Sequence, residues 1–298
     1  MRNIFNYVDR PSLIHSLTGA TKLVCLILWS LGSMITYYTP FLMILPLISL
    51  VLFIVSKIKL RDVSFMLGFT AVFLVLNNVM VYVFSPQHGV ELYGTQTVLL
   101  GSGRYALTLE QLYYHFNLLL KYLCTIPIVL LFVCTTNPSE FAASLNRIGV
   151  KYSIAYSVAL ALRYIPDIQR EYHDISQSQQ ARGIELSKKE SLIKRLKSAS
   201  AILIPLILSS MDRINVISNA MELRGFGKRK KRTWYMGRKF RAADIISMAL
   251  CALLLITAVY LNRMNGGRFY NPFMSYYNIY DGLQEAPRPA NRFVSLKI

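Results

Sequence analysis

Residues 171–183 read EYHDISQSQQARG and residues 213–225 read RINVISNAMELRG. Each segment closes a run in which apolar side chains recur every three or four residues, the spacing of one face of an α-helix. The first face extends back from Arg182 to Ile154, and the second extends back from Arg224 to Leu203. Glycine directly follows both arginines, and glycine just past the last turn is a common helix stop. The two segments therefore predict two long helices that end in the same way.

A single Arg-Gly ending has an ordinary explanation as a helix cap. A cation in the last turn interacts favourably with the partial negative charge of the helix C-terminus, by roughly 0.3–1 kcal/mol. Two such endings on consecutive helices also suggest docking, because a guanidinium offers carboxylates a planar fork of donors and stays charged. The candidate docking residues are Ala181, Arg182, Gly183, Leu223, Arg224 and Gly225.

The composition and the charge distribution predict a membrane protein. The chain has 298 residues, of which 54% are hydrophobic, against roughly 45–50% in ordinary soluble domains. Of the net charge of +18, residues 137–241 carry +12, with 20 Lys and Arg against 8 Asp and Glu. Basic residues beside membrane spans collect on the cytoplasmic side, so this region is predicted to be cytoplasmic. The fold class is an all-α polytopic membrane protein.

Five apolar stretches are predicted to cross the membrane as helices. They are residues 23–38, 41–55, 63–84, 112–134 and 242–261. Basic residues before the first span place the N-terminus in the cytoplasm, and an odd number of spans leaves the C-terminus outside. The predicted divisions are a membrane region with four spans (1–136), a cytoplasmic coupling region (137–241), the last span (242–262) and an external tail (263–298).

The cytoplasmic region is predicted to hold one short amphipathic helix, residues 137–147, and the two long ones. Arg163 interrupts the apolar part of the first long helix. In the second, only residues 199–208 have few polar groups, which is ~15 Å of helix against a hydrocarbon core of ~30 Å. Pro166 and Pro205 are predicted to kink these helices, because proline removes a backbone hydrogen bond. We therefore expect two bent amphipathic helices that do not span the membrane.

Polar residues elsewhere carry weaker signals. The basic run KRKKR is predicted to anchor the chain to anionic lipid, at ~1 kcal/mol per residue, and no nucleic-acid reading module accompanies it. Its residues are Lys228, Arg229, Lys230, Lys231 and Arg232. The four cysteines and four histidines have no metal-ligand spacing, so no metal site is predicted. The loop at 85–111 is predicted to be external, and Lys121 in the fourth span is expected to extend towards the membrane surface.

The sequence resembles the T components of energy-coupling-factor (ECF) transporters, the CbiQ/EcfT-type membrane proteins of bacterial micronutrient uptake. The resemblance is carried by QQARG at 179–183, AMELRGF at 220–226 and LRYIP at 162–166, with weaker support from SLIHSL at 12–17 and TKL at 21–23. The second motif has Leu223 where the family often has alanine. Thr18-Gly19-Ala20 replaces the Asp-Pro-Arg with which the family's N-terminal signature often continues, so no role is transferred to that turn.

The resemblance implies a scaffold in the bacterial cell membrane that is not an enzyme and binds no cofactor. ATP would be bound by two cytoplasmic ATP-binding-cassette subunits, docked on Arg182 and Arg224, with Gly183 and Gly225 letting each helix end against them. A small hydrophobic S component would bind the vitamin or other micronutrient. The chain itself has no G-x-x-x-x-G-K-[ST] loop for ATP phosphates.

Two other function classes receive less support from the sequence. An intramembrane enzyme would have to use His15, Asn77, Asn78 and Glu140, which come from separate segments without nucleophile-base or metal spacing. The two asparagines have two alternative interpretations: they form hydrogen bonds to a neighbouring helix, or they line a substrate path. A self-contained secondary transporter is expected to have internal repeats and interrupted helices, and the sequence shows neither.

Overall fold

The computed structural model describes residues 12–184, 192–228, 233–234, 237–265 and 269–272. These residues form ten helices and one two-stranded hairpin. The helices are α1 (Leu13–Ser16), α2 (Gly19–Ile35), α3 (Thr39–Val55), α4 (Leu60–Phe84), α5 (His88–Tyr93), α6 (Leu109–Thr135), α7 (Pro138–Arg147), α8 (Tyr152–Ala181), α9 (Leu192–Leu223) and α10 (Ala242–Met264). The strands are β1 (Val98–Leu100) and β2 (Leu107–Thr108). The predicted all-α class is confirmed.

Four helical stretches are long and apolar enough to cross a membrane. They are Val63–Phe84, Leu109–Thr135, Leu196–Leu223 and Ala242–Met264. The third lies in α9, so the apolar part of this helix is longer than the sequence analysis predicts. This stretch meets the length and composition of a span with the charged Asp212 and Arg213 inside it, and charges are costly in a membrane helix, whereas Ser and Asn are tolerated better. The first two predicted spans are the 17-residue helices α2 and α3, at the lower limit of ~17–25 residues for a span.

The described residues form two compact units. Within the described ranges, the first contains residues 12–27 and 132–250, and the second contains residues 28–131 and 251–272. Helices α2, α6 and α10 each contribute residues to both units. The two long helices, α8 and α9, lie in the first unit.

In the first unit, acidic side chains cap the start of α2. Gly19 N donates to Glu140 Oε1 over 2.8 Å, and Thr18 N donates to Asp244 Oδ1 over 2.8 Å. Both carboxylates are buried. Negative charge is favourable at a helix N-terminus, where backbone N–H groups lack partners within the helix. Lys22, in the same turn, donates from Nζ to the carbonyl of Thr135, the last residue of α6, over 2.8 Å.

In the second unit, donors from two helices cap the end of α2. Lys121 Nζ donates to Met34 O over 2.9 Å, and Asn262 Nδ2 donates to Ile35 O over 3.1 Å. The expectation that Lys121 extends to the membrane surface was wrong: the residue is 4% exposed. Its ammonium lies 3.3 Å from the centroid of the Tyr37 ring. Backbone carbonyls away from water need a partner, and this lysine supplies one.

One of the two asparagines in α4 forms a hydrogen bond to a neighbouring helix, which is the first of the two roles predicted for them. Asn78 Oδ1 lies 3.0 Å from His115 Nδ1 of α6, and Asn78 Nδ2 donates to Leu74 O within α4.

The segment at 85–111 contains helix α5 and the β-hairpin, neither of which is predicted from the sequence. Each is shorter than the roughly 11–18 residues of a helix or 4–8 residues of a strand over which hydrophobic periodicity is read.

Candidate functional site

Helix α8 ends in a hydrogen-bonded cap that favours glycine. Gly183 N donates to Gln180 O over 2.9 Å, and Ile184 N donates to Gln179 O over 3.0 Å. These two bonds define the Schellman motif, in which the residue after the helix cap takes the left-handed conformation. Gly183 takes it, with φ of +85°. Arg182 is the cap residue itself.

Helix α9 ends by the same pattern. Gly225 N donates to Glu222 O over 2.8 Å, Phe226 N donates to Met221 O over 2.9 Å, and φ of Gly225 is +66°. Arg224 therefore occupies the same position relative to its cap as Arg182 does. The two endings predicted from sequence have equivalent backbone hydrogen bonds.

The cap alone is not a docking signal, because α7 ends in the same way. There Gly149 has φ of +106° and Val150 N donates to Leu145 O over 3.0 Å, but Ile148 precedes the glycine. The feature confined to the α8 and α9 ends is an exposed arginine at the cap position.

The candidate docking residues are accessible in the described structure. Ala181, Arg182 and Gly183 are exposed, as are Leu223 and Arg224, while Gly225 is half-buried. Leu223, which stands where alanine is common in the resembling family, is 90% exposed. The backbone geometry thus presents each guanidinium at the surface.

An aromatic cluster holds the end of α9 against the start of α8. The ring centroid of Phe226 lies 4.8 Å from that of Tyr156 and 5.9 Å from that of Tyr152. Trp234 lies 5.3 Å from Tyr152, and its Nε1 donates to Asn146 Oδ1 over 3.1 Å. Aromatic pairs at such distances stabilise a contact by roughly 0.5–1.5 kcal/mol beyond burial. The second ending is therefore fixed to α8 and to the end of α7.

An ion pair joins α8 to α9 away from their ends. Arg213 Nη2 lies 2.8 Å from Glu171 Oε2, and Ser209 Oγ donates to the other carboxylate oxygen of Glu171. The Arg213 guanidinium also lies 5.9 Å from the centre of the Tyr164 ring. We refer to Glu171 and Arg213 as the crossing pair. The side chain of Glu171 is 17% exposed and that of Arg213 is 36% exposed.

The crossing pair is equally far from both arginine endings. Glu171 precedes Arg182 by eleven residues, and Arg213 precedes Arg224 by eleven residues, or roughly 16 Å at 1.5 Å per residue of helix. Sequence reasoning missed the pair, although a signal was present. When the two segments are aligned on their Arg-Gly ends, Glu171 and Arg213 take the same position with opposite charge.

Charged side chains line an open cleft of about 480 Å³ beside the crossing pair. The lining residues are Tyr164, Asp167, Arg170, Glu171, Asp174 and Arg213. Mixed charges of both signs around an open cleft give no single ligand preference. Within the part of the chain that the structure describes, no group of three or more His, Cys, Asp or Glu is arranged to hold a metal ion.

The structure describes the two predicted kink prolines and the first residue of the basic run. Pro166 and Pro205 lie inside α8 and α9, and each leaves a carbonyl one turn earlier without its usual backbone partner. The bend itself stays a prediction. In the basic run, Lys228 is exposed, and Arg229, Lys230, Lys231 and Arg232 lie outside the described residues.

Comparison with known proteins gives the family. The model of the CbiQ family, described as cobalt transport protein, matches residues 11–235. The chain belongs to the CbiQ family. The match includes both arginine endings and the crossing pair.

Curated relatives specify the type of CbiQ-family protein: the chain is similar to T components of ECF transporters. The chain is similar to the energy-coupling factor transporter transmembrane protein EcfT of Bacillus selenitireducens, at 28% identity over 89% of this chain and 98% of the relative. The EcfT proteins of Leuconostoc gelidum (27%; 89% and 100%) and Streptococcus thermophilus (26%; 85% and 96%) match similarly. This T component is a membrane protein and an energy-coupling part of an ECF transporter, not an enzyme.

Three of the four residues of the alternative enzyme site have structural partners. Glu140 caps α2, Asn78 bonds to His115, and the ring of His15 lies 2.7 Å from Ser12 Oγ. Glu140 and His15 belong to the first unit and Asn78 to the second.

Proposed function

We propose that this T component transmits the motion of two cytoplasmic ATPase subunits to a substrate-binding S component through the ends of α8 and α9. Arg182 docks on one ATPase and Arg224 on the other. The observation that carries the proposal is the equivalence of the two endings: the same cap hydrogen bonds, the same left-handed glycine and an exposed arginine at the same position.

Docking by arginine follows from its chemistry. A guanidinium at a rigid helix end meets a carboxylate on a partner with two parallel hydrogen bonds, which fixes direction as well as distance. The partner surface is therefore a groove with a carboxylate that also accepts the turn at Gly183 or Gly225. The neighbouring residues Ala181 and Leu223 complete the contact through their exposed apolar side chains.

The crossing pair supports the idea that the two ends move together. When ATP binding brings two ATPases closer, each pushes on one helix end. Glu171 and Arg213 join α8 and α9 at equal distances from the two helix ends. Displacement of the ends therefore changes the packing of the two helices at this pair, and the helices do not tilt independently. The S component responds to this change by reorienting. The basic run that begins at Lys228 holds the region at the inner leaflet.

The transported substrate is a vitamin or another micronutrient, and the S component selects it. The family model carries the words cobalt transport and the curated relatives carry the words energy-coupling factor. The T component contributes the coupling step in either case.

Charge reversal at the helix ends tests the proposal. Arg182→Glu and Arg224→Glu are each expected to abolish uptake and to weaken recovery of one ATPase on purification in mild detergent, with normal insertion in the membrane. Arg170→Glu is the matched control, because Arg170 is 76% exposed on α8 but lies outside the motif. Normal uptake and normal ATPase recovery in both helix-end variants would reject the assignment.

A further inference from the structure

The β-hairpin between α4 and α6 has an apolar outer strand. In the pairing, Val98 faces Thr108 and Leu100 faces Leu107. The inner strand is flanked by the buried Ala106 and includes the buried Thr108. On the outer strand, Val98, Leu99 and Leu100 are 50%, 51% and 73% exposed. Both faces of β1 are therefore apolar and uncovered by the described residues.

Hydrogen bonds hold this hairpin to the ends of two membrane spans. Tyr82 near the end of α4 donates from its hydroxyl to Tyr105 O over 2.7 Å. Thr97 N donates to both carboxylate oxygens of Glu110 over 3.0 Å, and Glu110 is completely buried at the start of α6. Leu109 N donates to Thr97 O over 3.0 Å. The hairpin is thus attached at the membrane face where α4 ends and α6 begins.

Neither water nor the hydrocarbon core suits such a strand. In water, an apolar edge strand with open N–H and C=O groups is a template for aggregation. In the hydrocarbon core, the same open backbone groups would lack hydrogen-bond partners, which is strongly unfavourable. The headgroup region provides both hydrogen-bond partners and contact with acyl chains. Tyrosine is also enriched there, and Tyr105 is 57% exposed on the hairpin.

Helix α4 extends an apolar surface up to the hairpin. No residue of α4 between Ser64 and Phe84 is buried, so the described residues leave the apolar side chains of this span uncovered. Phe84, its last residue, is 69% exposed. The Tyr82–Tyr105 hydrogen bond joins the end of α4 to the hairpin.

We propose that β1 and Tyr105 lie in the headgroup region of the bilayer and anchor this end of α4 and α6 to lipid. The occupant is the membrane interface itself. This inference depends on α4 and α6 crossing the membrane and is independent of docking at Arg182 and Arg224.

Spin-label depth measurements test the proposal in the transporter as purified, placed in nanodiscs of phosphatidylcholine and phosphatidylglycerol. Labels are attached at Leu100→Cys, Val72→Cys and Glu91→Cys after replacement of the four native cysteines. Val72 is 70% exposed on α4 and reports the hydrocarbon core. The Glu91 side chain is 75% exposed in the same 85–111 segment and reports water.

The relative accessibility to oxygen and to a nickel chelate gives the depth of each label. The label at position 100 is expected between the two references. A value equal to that at position 91 would place the strand in water and overturn the proposal. A value equal to that at position 72 would place it in the core and also overturn it. An immobile label with low accessibility to both reagents would show that protein covers the strand, again against the proposal.

Discussion

Gly183 and Gly225 adopt left-handed backbone conformations, and this is where single residues matter most for the proposed docking. An alanine in that conformation costs about 1–2 kcal/mol, because its Cβ approaches the following carbonyl. An ideal Cβ at Gly183 meets no heavy atom within 4 Å, so a substitution there tests backbone conformation and not crowding. The direction of the Arg182 guanidinium depends on this turn.

Gly183→Ala is accordingly expected to lower uptake several-fold and to weaken ATPase recovery without unfolding the membrane region. Gly183→Asn should retain more activity, since asparagine tolerates the left-handed conformation better than alanine. The control is Gly68→Ala, an open helical position in α4 where the added Cβ also meets nothing within 4 Å. Equal uptake in the Gly183→Ala variant and the parent would show that the turn geometry is irrelevant to coupling.

The arginine endings were visible in the sequence because their pattern is local: an apolar face, an arginine and a glycine within one turn. Lys121 shows the limit of local reasoning. A lysine in an apolar run normally extends to the membrane surface, and only the packing of α6 beside the end of α2 offers Met34 O to its ammonium. That acceptor is 87 residues away in sequence, and no local pattern indicates it.

The pair of long helices is joined by a contact of intermediate strength. Exposed ion pairs contribute about 0–1 kcal/mol, whereas breaking a buried pair by removing one partner costs about 3–5 kcal/mol. Glu171 and Arg213 are partly exposed, so their removal is expected to alter how the helices move relative to each other before it unfolds them.

Reversing one charge of the crossing pair should separate ATP hydrolysis from transport. We expect Glu171→Arg to lower uptake about tenfold, a loss within the usual range of coupling free energies, while both ATPases still co-purify and hydrolyse ATP. The swapped double variant, Glu171→Arg with Arg213→Glu, should recover most of the uptake. Lys197→Glu, at an exposed position of α9 outside the cleft lining, is the control.

Uptake at the parental rate in the single variant, or a double variant no better than it, would contradict a role of the crossing pair in coupling. Loss of the ATPases from the single variant would indicate a structural role instead.

The crossing pair was missed from the sequence because each charge, read alone, is typical of the polar face of an amphipathic helix. The apolar helices were predicted well, since long periodic runs specify their own structure. The short strands of the hairpin were not predicted, because the hairpin is held by hydrogen bonds from Glu110 and Tyr82, which lie outside it.

The whole molecule combines two kinds of helix, and the sequence indicated both from hydropathy and charge. The +12 between residues 137 and 241 predicts a cytoplasmic position for the helix ends. For α9, the sequence predicts a weakly polar stretch of only residues 199–208, whereas the stretch of spanning length and composition is Leu196–Leu223 and includes Asp212 and Arg213. The sequence alone also gave no indication that lysines from α2 and α6 cap each other's helix ends.

Site-specific photocrosslinking in the assembled transporter tests the central claim most directly. A photoreactive amino acid replaces Ala181 or Leu223, each beside its arginine, or Val72 as the lipid-facing control. We expect positions 181 and 223 each to crosslink to an ATPase subunit, identified by mass spectrometry, and position 72 not to do so. Absence of ATPase crosslinks at both helix ends, in a complex that still hydrolyses ATP and transports substrate, would contradict it.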